Sequence, residues 1–105
     1  MKTIINGVRY DTEKAIALGD MRGGSDFVTD FTHWSGTLYR TPRSGRYFLA
    51  GSGGPMSMFA ERTQSGWRGS ERIIPMDEDE AFELAQRVWP AELVEQHFGH
   101  LIEDA

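Results

Sequence analysis

The feature that most restricts the fold of this chain is a helix-start signal near its C-terminal end. Asp77 is followed three residues later by Glu80, the spacing of a capping box, which satisfies two free amides of a first helical turn. Apolar residues then recur at helical intervals: Ala81, Leu84, Ala85 and Val88, with Phe82 and Trp89 widening the stripe. Pro90 should break this helix or begin a second one, because proline fits only a first turn. The sequence therefore predicts one or two C-terminal helices.

The preceding part of the chain carries signals for antiparallel strands. Asn6-Gly7 between two short β-prone stretches is a strong hairpin signal. Pro42-Arg43-Ser44-Gly45 predicts a second turn, because proline and glycine supply its special backbone angles. Strands are expected beside this turn at residues 37–41 and 46–50, and later at residues 56–62 and 72–74, with residues 51–54 and 64–69 as connections. The prediction is an α+β fold with an antiparallel sheet of about four to five strands.

A short N-terminal helix is also predicted, directly after the first hairpin. Asp11 or Thr12 would cap it, Ala15 and Leu18 would face the core, and Gly19 would end it. Residues 19–36 receive no assignment. Since no linker or repeat interrupts the chain, we expect one domain over residues 1–105, mainly sheet in 1–76 and an acidic helical segment in 77–98.

The charge is divided unevenly between these two parts. The net charge is −5, yet residues 77–105 contain nine acids against one base, whereas residues 1–76 have a net charge of +3. Acids in a first helical turn are explained by capping and the helix dipole. The acids that we consider as protein-binding candidates are Asp79, Glu83, Glu92 and Glu95. They would face a basic partner, unless they simply form a solvated outer face.

A second interpretation concerns arginine and tryptophan residues on or beside the strands. The candidate nucleic-acid-binding residues are Arg40, Arg46, Arg62 and Trp67, the last expected in a loop. Basic residues interleaved with aromatics on a sheet are typical of proteins that bind single strands. Strand alternation offers another explanation, with aromatics in the core and arginines in solvent. Because a nucleic-acid-binding domain usually carries a positive charge, direct nucleic-acid binding is not favoured.

Several other classes of function are not supported by the sequence. The absence of cysteine excludes disulfides, the usual zinc fingers and thiol catalysis. His97 and His100 lack further ligands for a metal, and Gly51–Gly54 lacks the lysine and following helix of a phosphate-binding loop. No catalytic triad is recognisable. We therefore expect a protein that is not an enzyme and needs no cofactor or metal.

The apolar segments bear on the cellular location and the oligomeric state of the protein. No apolar run approaches the roughly 20 residues that span a bilayer, so a cytoplasmic protein without membrane contact is expected. An apolar strip on the last helices comprises Val94, Phe98, Leu101 and Ile102. This strip could form a dimer interface or pack on the sheet, so both a monomer and a homodimer are compatible with the sequence.

A series of short motifs resembles those of a known family. The motifs are Tyr10-Asp11-Thr12-Glu13-Lys14-Ala15, Leu38-Tyr39-Arg40-Thr41, Gly45-Arg46-Tyr47-Phe48-Leu49, Gly53-Gly54-Pro55-Met56-Ser57 and Ile73-Ile74-Pro75-Met76. In this order they resemble a family of small bacterial and phage proteins associated with mobile elements. The small size, acidity and lack of cysteine also resemble anti-CRISPR proteins. This resemblance implies an inhibitor that binds a basic surface of a type I CRISPR effector subunit and blocks its access to target DNA. It assigns no functional residue to this chain.

Overall fold

The computed structural model describes residues 1–24 and 31–105, and its centre is a four-stranded antiparallel sheet. The described residues form strands β1 Lys2–Ile5, β2 Val8–Asp11, β3 Ile16–Gly23, β4 Trp34–Arg40, β5 Tyr47–Gly53, β6 Glu61–Thr63, β7 Gly66–Arg68 and β8 Ser70–Met76. They are followed by α1 Glu78–Val88, α2 Ala91–Phe98 and a short 3-10 helix, Gly99–Leu101. The central sheet has the order β3-β4-β5-β8, while β1–β2 and β6–β7 are separate hairpins. This arrangement confirms the predicted α+β class.

Strand β5 lies in the middle of the structure and contributes to two different cores. Tyr47, Phe48, Leu49 and Ala50 are consecutive and all buried. Because side chains alternate along a strand, Tyr47 and Leu49 face the helices, whereas Phe48 and Ala50 face the β1–β2 hairpin. A continuous apolar run is what a strand covered on both faces requires. The molecule therefore has three layers: helices, sheet and hairpin.

The helical layer is attached through a core that includes Phe98. The Phe98 side chain is completely buried, and its ring centroid lies 5.5 Å from Tyr47, 5.6 Å from Phe82 and 6.5 Å from Trp89. In addition, the Trp89 indole nitrogen donates a hydrogen bond of 2.8 Å to the backbone carbonyl of Asp20 in β3. The ring contacts with β5 and the hydrogen bond to β3 thus attach the helices to the sheet.

On the opposite face of the sheet, the β1–β2 hairpin covers a smaller core. Its turn has φ 51° at Asn6 and φ 79° at Gly7, the two positive values that a type I′ turn needs. The Tyr10 ring meets Phe48 edge-on at 5.5 Å, and Tyr39 stacks on Phe48 at 5.1 Å. These aromatic contacts close the outer face near the middle of the sheet.

The predicted N-terminal helix is wrong, because residues 16–23 form strand β3 instead. Asp11 accepts a hydrogen bond of 3.0 Å from the Glu13 amide, but this contact stabilises a turn between β2 and β3. A β-bulge then shifts the register between Ala17 and Gly19. Because the bulge interrupts the alternation of side chains along the strand, Ala15 and Leu18 have the spacing that is expected of a helix. Of the stretch that received no assignment, residues 25–30 lie outside the described residues.

Three further predictions for residues between Gly51 and Gly69 differ from the structure. Gly51 to Gly53 belong to β5, and residues 55–59 form turns that bury Phe59, so no strand extends over 56–62. Ser57 explains this break, because its hydroxyl donates to the Gly54 carbonyl at 2.7 Å and accepts the Phe59 amide at 3.2 Å. Trp67, expected in a loop, lies in strand β7.

The C-terminal helices agree with their sequence signals. The Asp77 carboxylate accepts the Glu80 amide at 2.8 Å, and the Glu80 carboxylate accepts the Asp77 amide at 3.2 Å, which confirms the capping box. Helix α1 ends at Val88, and Pro90 immediately precedes α2, as predicted. No helix in residues 1–24 and 31–105 is long and apolar enough to cross a membrane.

Candidate protein-binding surface on the C-terminal helices

A groove lies between α1, α2 and the chain that follows the 3-10 helix. Its volume is about 580 Å³, within the usual range of ligand-binding clefts. The apolar residues that line it are Phe82, Trp89, Ala91, Val94, Leu101 and Ile102. Ile102 keeps 40% of its surface exposed, so apolar surface in the groove remains accessible to solvent. We refer to this feature as the helical groove.

Acidic and polar side chains complete the helical groove. Glu95 of α2, Glu103 beyond the 3-10 helix, and Gln86 of α1 are exposed and line it. Within the described part of the chain, neither Glu95 nor Glu103 forms an ion pair. An apolar floor with free carboxylates at its rim matches the chemistry of lysine and arginine, which combine an apolar stem with a cationic end.

The four predicted protein-binding acids all lie on the exposed surface of the helical layer, but only one lines the helical groove. Asp79 and Glu83 are one helical turn apart on α1, and Glu83 pairs with Arg87 at 3.5 Å. Both partners of that pair are largely exposed, so it adds little stability. On α2, Glu95 lines the groove and Glu92 does not. The acids thus extend a negative surface beyond the groove itself.

Other acids of the segment have structural roles. Glu78 contacts His100 across the helices at 2.9 Å, and Asp77 and Glu80 form the capping box. Glu78 also lies near the hydroxyl of Tyr47, whose pKa is raised above 10.0 first by burial and then by the negative charge of Glu78, with Arg40 opposing the shift. Asp77, Glu78 and Glu80 thus have partners within the fold, whereas Glu92 and Glu95 form no ion pair with the residues that the structure describes.

Tyr47 gives a testable consequence for alkaline stability. Because its pKa is higher in the folded than in the unfolded chain, the neutral phenol stabilises the fold below pH 10.0, and this stabilisation is lost as the pH rises through the folded value. We expect Tyr47→Phe to lose less stability than the wild type over this alkaline range. Urea unfolding at a series of pH values measures the difference. Parallel alkaline slopes for the two proteins would refute this assignment.

The candidate nucleic-acid-binding residues do not form one surface. Arg40 pairs with Tyr47 at the start of β5, and Arg46 lies in the adjoining turn. Arg62 and Trp67 are cross-strand partners in the β6–β7 hairpin, which leads into β8 beside the other end of β5. Strand β5 has 7 residues, so its two ends are about 20 Å apart.

The aromatics that were expected to join these arginines are mostly covered. Phe48 is fully buried and Tyr39 stacks on it beneath the β1–β2 hairpin, while Tyr47 faces the helices. Trp67 is the aromatic residue among the four candidates, and 61% of its surface is exposed to solvent. The central sheet therefore offers no open row of stacking rings at these positions.

Sequence reasoning missed part of the helical groove. Glu103 lies beyond the predicted helical segment, and it lines the groove because the chain turns after α2. The signal for this turn was Gly99, which ends α2. The apolar strip also divides: Val94 and Phe98 are buried in the core, whereas Ile102 remains exposed.

The described residues contain no cluster of three or more potential metal ligands. His97 contacts the Trp89 ring at 5.8 Å, and His100 is the partner of Glu78. In comparisons with known proteins, no family model matches the chain, and neither a curated protein nor a solved structure is significantly similar to it.

Proposed function

We propose that this protein is a small acidic inhibitor that acts by binding another protein through its C-terminal helices. The observation that carries the proposal is the helical groove, in which an apolar floor is bordered by the carboxylates of Glu95 and Glu103. The occupant is a basic segment of a partner protein, with a lysine or arginine stem on the floor and its charge at the rim.

The surrounding charge supports this choice of partner. Asp79, Glu83 and Glu92 are exposed on the same helical layer, and residues 77–105 have a net charge of −8. A surface of one sign accelerates association with a surface of the opposite sign and disfavours acidic partners. The apolar floor adds the buried contact that a purely electrostatic encounter lacks.

The resemblance to anti-CRISPR proteins indicates which partner to test first. A subunit of a type I CRISPR effector presents a basic surface because it must hold nucleic acid. An inhibitor bound there would block access of the complex to target DNA. The acidic helical surface is complementary in charge to such a basic subunit.

Charge reversal of the helical acids should abolish binding. We expect the triple variant Glu83→Lys, Glu92→Lys, Glu95→Lys to weaken the complex about a hundredfold or more, because like charges then oppose each other across the interface. Calorimetric titration against purified effector subunits measures this change, and a DNA-binding assay with the assembled effector measures inhibition.

A matched control comes from acids outside the helices. Glu13, Glu61 and Glu71 are exposed, and Glu61 pairs with Arg68 at 3.1 Å much as Glu83 pairs with Arg87. Reversing these three changes the net charge equally, yet binding should be retained apart from a modest loss of association rate. An equal loss of binding in both triple variants would show that the effect depends on net charge alone. Retained binding by the Glu83, Glu92 and Glu95 variant would overturn the proposal.

A further inference from the structure

A second concave site lies on the side of the molecule that carries the β1–β2 hairpin. It has a volume of about 470 Å³ and lies between the β2–β3 turn and the β4–β5 turn. Four cationic side chains line it: Arg9, Lys14, Arg43 and Arg46. We refer to it as the basic cleft. It shares no lining residue with the helical groove.

In the part of the chain that the structure describes, the cations of the basic cleft form no ion pairs, although Arg46 also lines a neighbouring concave site with Asp77, Glu78 and Glu80. Arg68 and Arg87, by contrast, each form one. Asp11 is the one acid among the described residues that line the cleft, and its carboxylate accepts the Glu13 amide at 3.0 Å. In a chain with a net charge of −5, this concentration of unpaired positive charge is a local exception. Such a cleft attracts anions.

Both walls of the basic cleft are held by short-range hydrogen bonds. In the β4–β5 turn, the Thr41 hydroxyl accepts the Arg46 amide at 2.9 Å and lies 2.7 Å from the Ser44 hydroxyl, while Gly45 adopts φ 64°. In the opposite wall, the Thr12 amide donates to the Met1 carbonyl at 3.0 Å. The backbone that carries the cations is therefore ordered before any ligand arrives, which lowers the entropic cost of binding.

We propose that the basic cleft binds phosphate groups. Three of its four cations are arginines, whose planar guanidinium groups bind phosphate oxygens in a bidentate manner. The cleft volume of about 470 Å³ leaves room for a ligand with two or more phosphates, either as a small phosphorylated molecule or as a nucleic-acid backbone. This site is independent of the protein-binding function proposed for the helices.

The experiment is an amide chemical-shift titration with inorganic pyrophosphate and, separately, with a short single-stranded oligonucleotide. Wild-type protein should show saturable shifts of cleft residues, and Arg43→Ser with Arg46→Ser should weaken binding about tenfold or more through loss of two charge-assisted contacts. The control, Arg22→Ser with Arg72→Ser, removes the same charge from exposed positions outside the cleft and should bind as the wild type does.

The two ligands separate the sources of the phosphate. Tighter binding of the oligonucleotide, with the same dependence on Arg43 and Arg46, would assign the cleft to nucleic acid, and tighter binding of pyrophosphate would assign it to small molecules. Non-saturating shifts, or equal weakening in the two double variants, would mean non-specific attraction and would overturn the proposal. Dispersed amide spectra of all variants verify that each remains folded.

Discussion

Replacing Phe98 by alanine is expected to lower the free energy of unfolding by about 3–5 kcal/mol, the usual cost of removing a buried phenylalanine. Phe98 is fully buried and contacts Tyr47, Phe82 and Trp89, so its loss leaves a cavity between α2, α1 and the sheet. Such a loss is a large part of the roughly 5–15 kcal/mol that stabilises a small domain. Urea unfolding followed by circular dichroism and tryptophan fluorescence measures it.

The variant should also disturb the helical groove. Helix α2 has 8 residues and is too short to persist without tertiary contacts, so partner binding should fall together with stability. Phe31→Ala is the matched control, because Phe31 is 63% exposed and its truncation should change stability by at most about 0.5 kcal/mol. If the two alanine variants unfold at the same urea concentration, Phe98 does not anchor α2 as described.

Replacing Gly51 by alanine is expected to destabilise the fold by about 3 kcal/mol or more, at the upper end of overpacking costs. A methyl group at Gly51 would overlap the Ser35 carbonyl oxygen and the Gly36 α-carbon of the neighbouring strand. Both obstacles are backbone atoms, and Gly36 is the register partner of Gly51 between β4 and β5. Relief would require separating two central strands. Thermal and urea unfolding give the size of the effect.

Gly99 provides the comparison for this substitution. Its backbone has φ −54°, and no atom lies within 4 Å of the position that a methyl group would take. Gly99→Ala should therefore stabilise the fold by about 0.4–1 kcal/mol, because it reduces the freedom of the unfolded chain. A Gly51→Ala protein as stable as Gly99→Ala would contradict the close strand approach.

The elements that the sequence predicted well are those whose signals are local. The capping box of Asp77 and Glu80 and the Asn6-Gly7 turn each depend on residues close together in the chain, and both are present in the structure. Strand β3 was missed because its pairing with β4 is non-local and its bulge near Leu18 disrupts strand alternation. The β-propensity of its residues alone cannot identify β4 as the strand with which β3 pairs.

The two candidate sites were predictable only in part for the same reason. Glu95 was identified from its charge on a predicted helix, but the apolar floor beside it depends on how α1 and α2 pack. Arg46 was grouped with Arg62 and Trp67, which lie beside the other end of β5. Its neighbours Arg9 and Lys14 come from a distant part of the sequence, and they meet it because the first hairpin folds over the central sheet.

The three-layer arrangement makes the molecule an electric dipole. Negative charge is concentrated in the helical layer, with a net −8 over residues 77–105, while the basic cleft lies on the side of the first hairpin. Near a positively charged target, the helices would face the target. Near a negatively charged target, the basic cleft would face it. The helical groove and the basic cleft share no lining residue, so an occupant of one proposed site would leave the residues of the other uncovered.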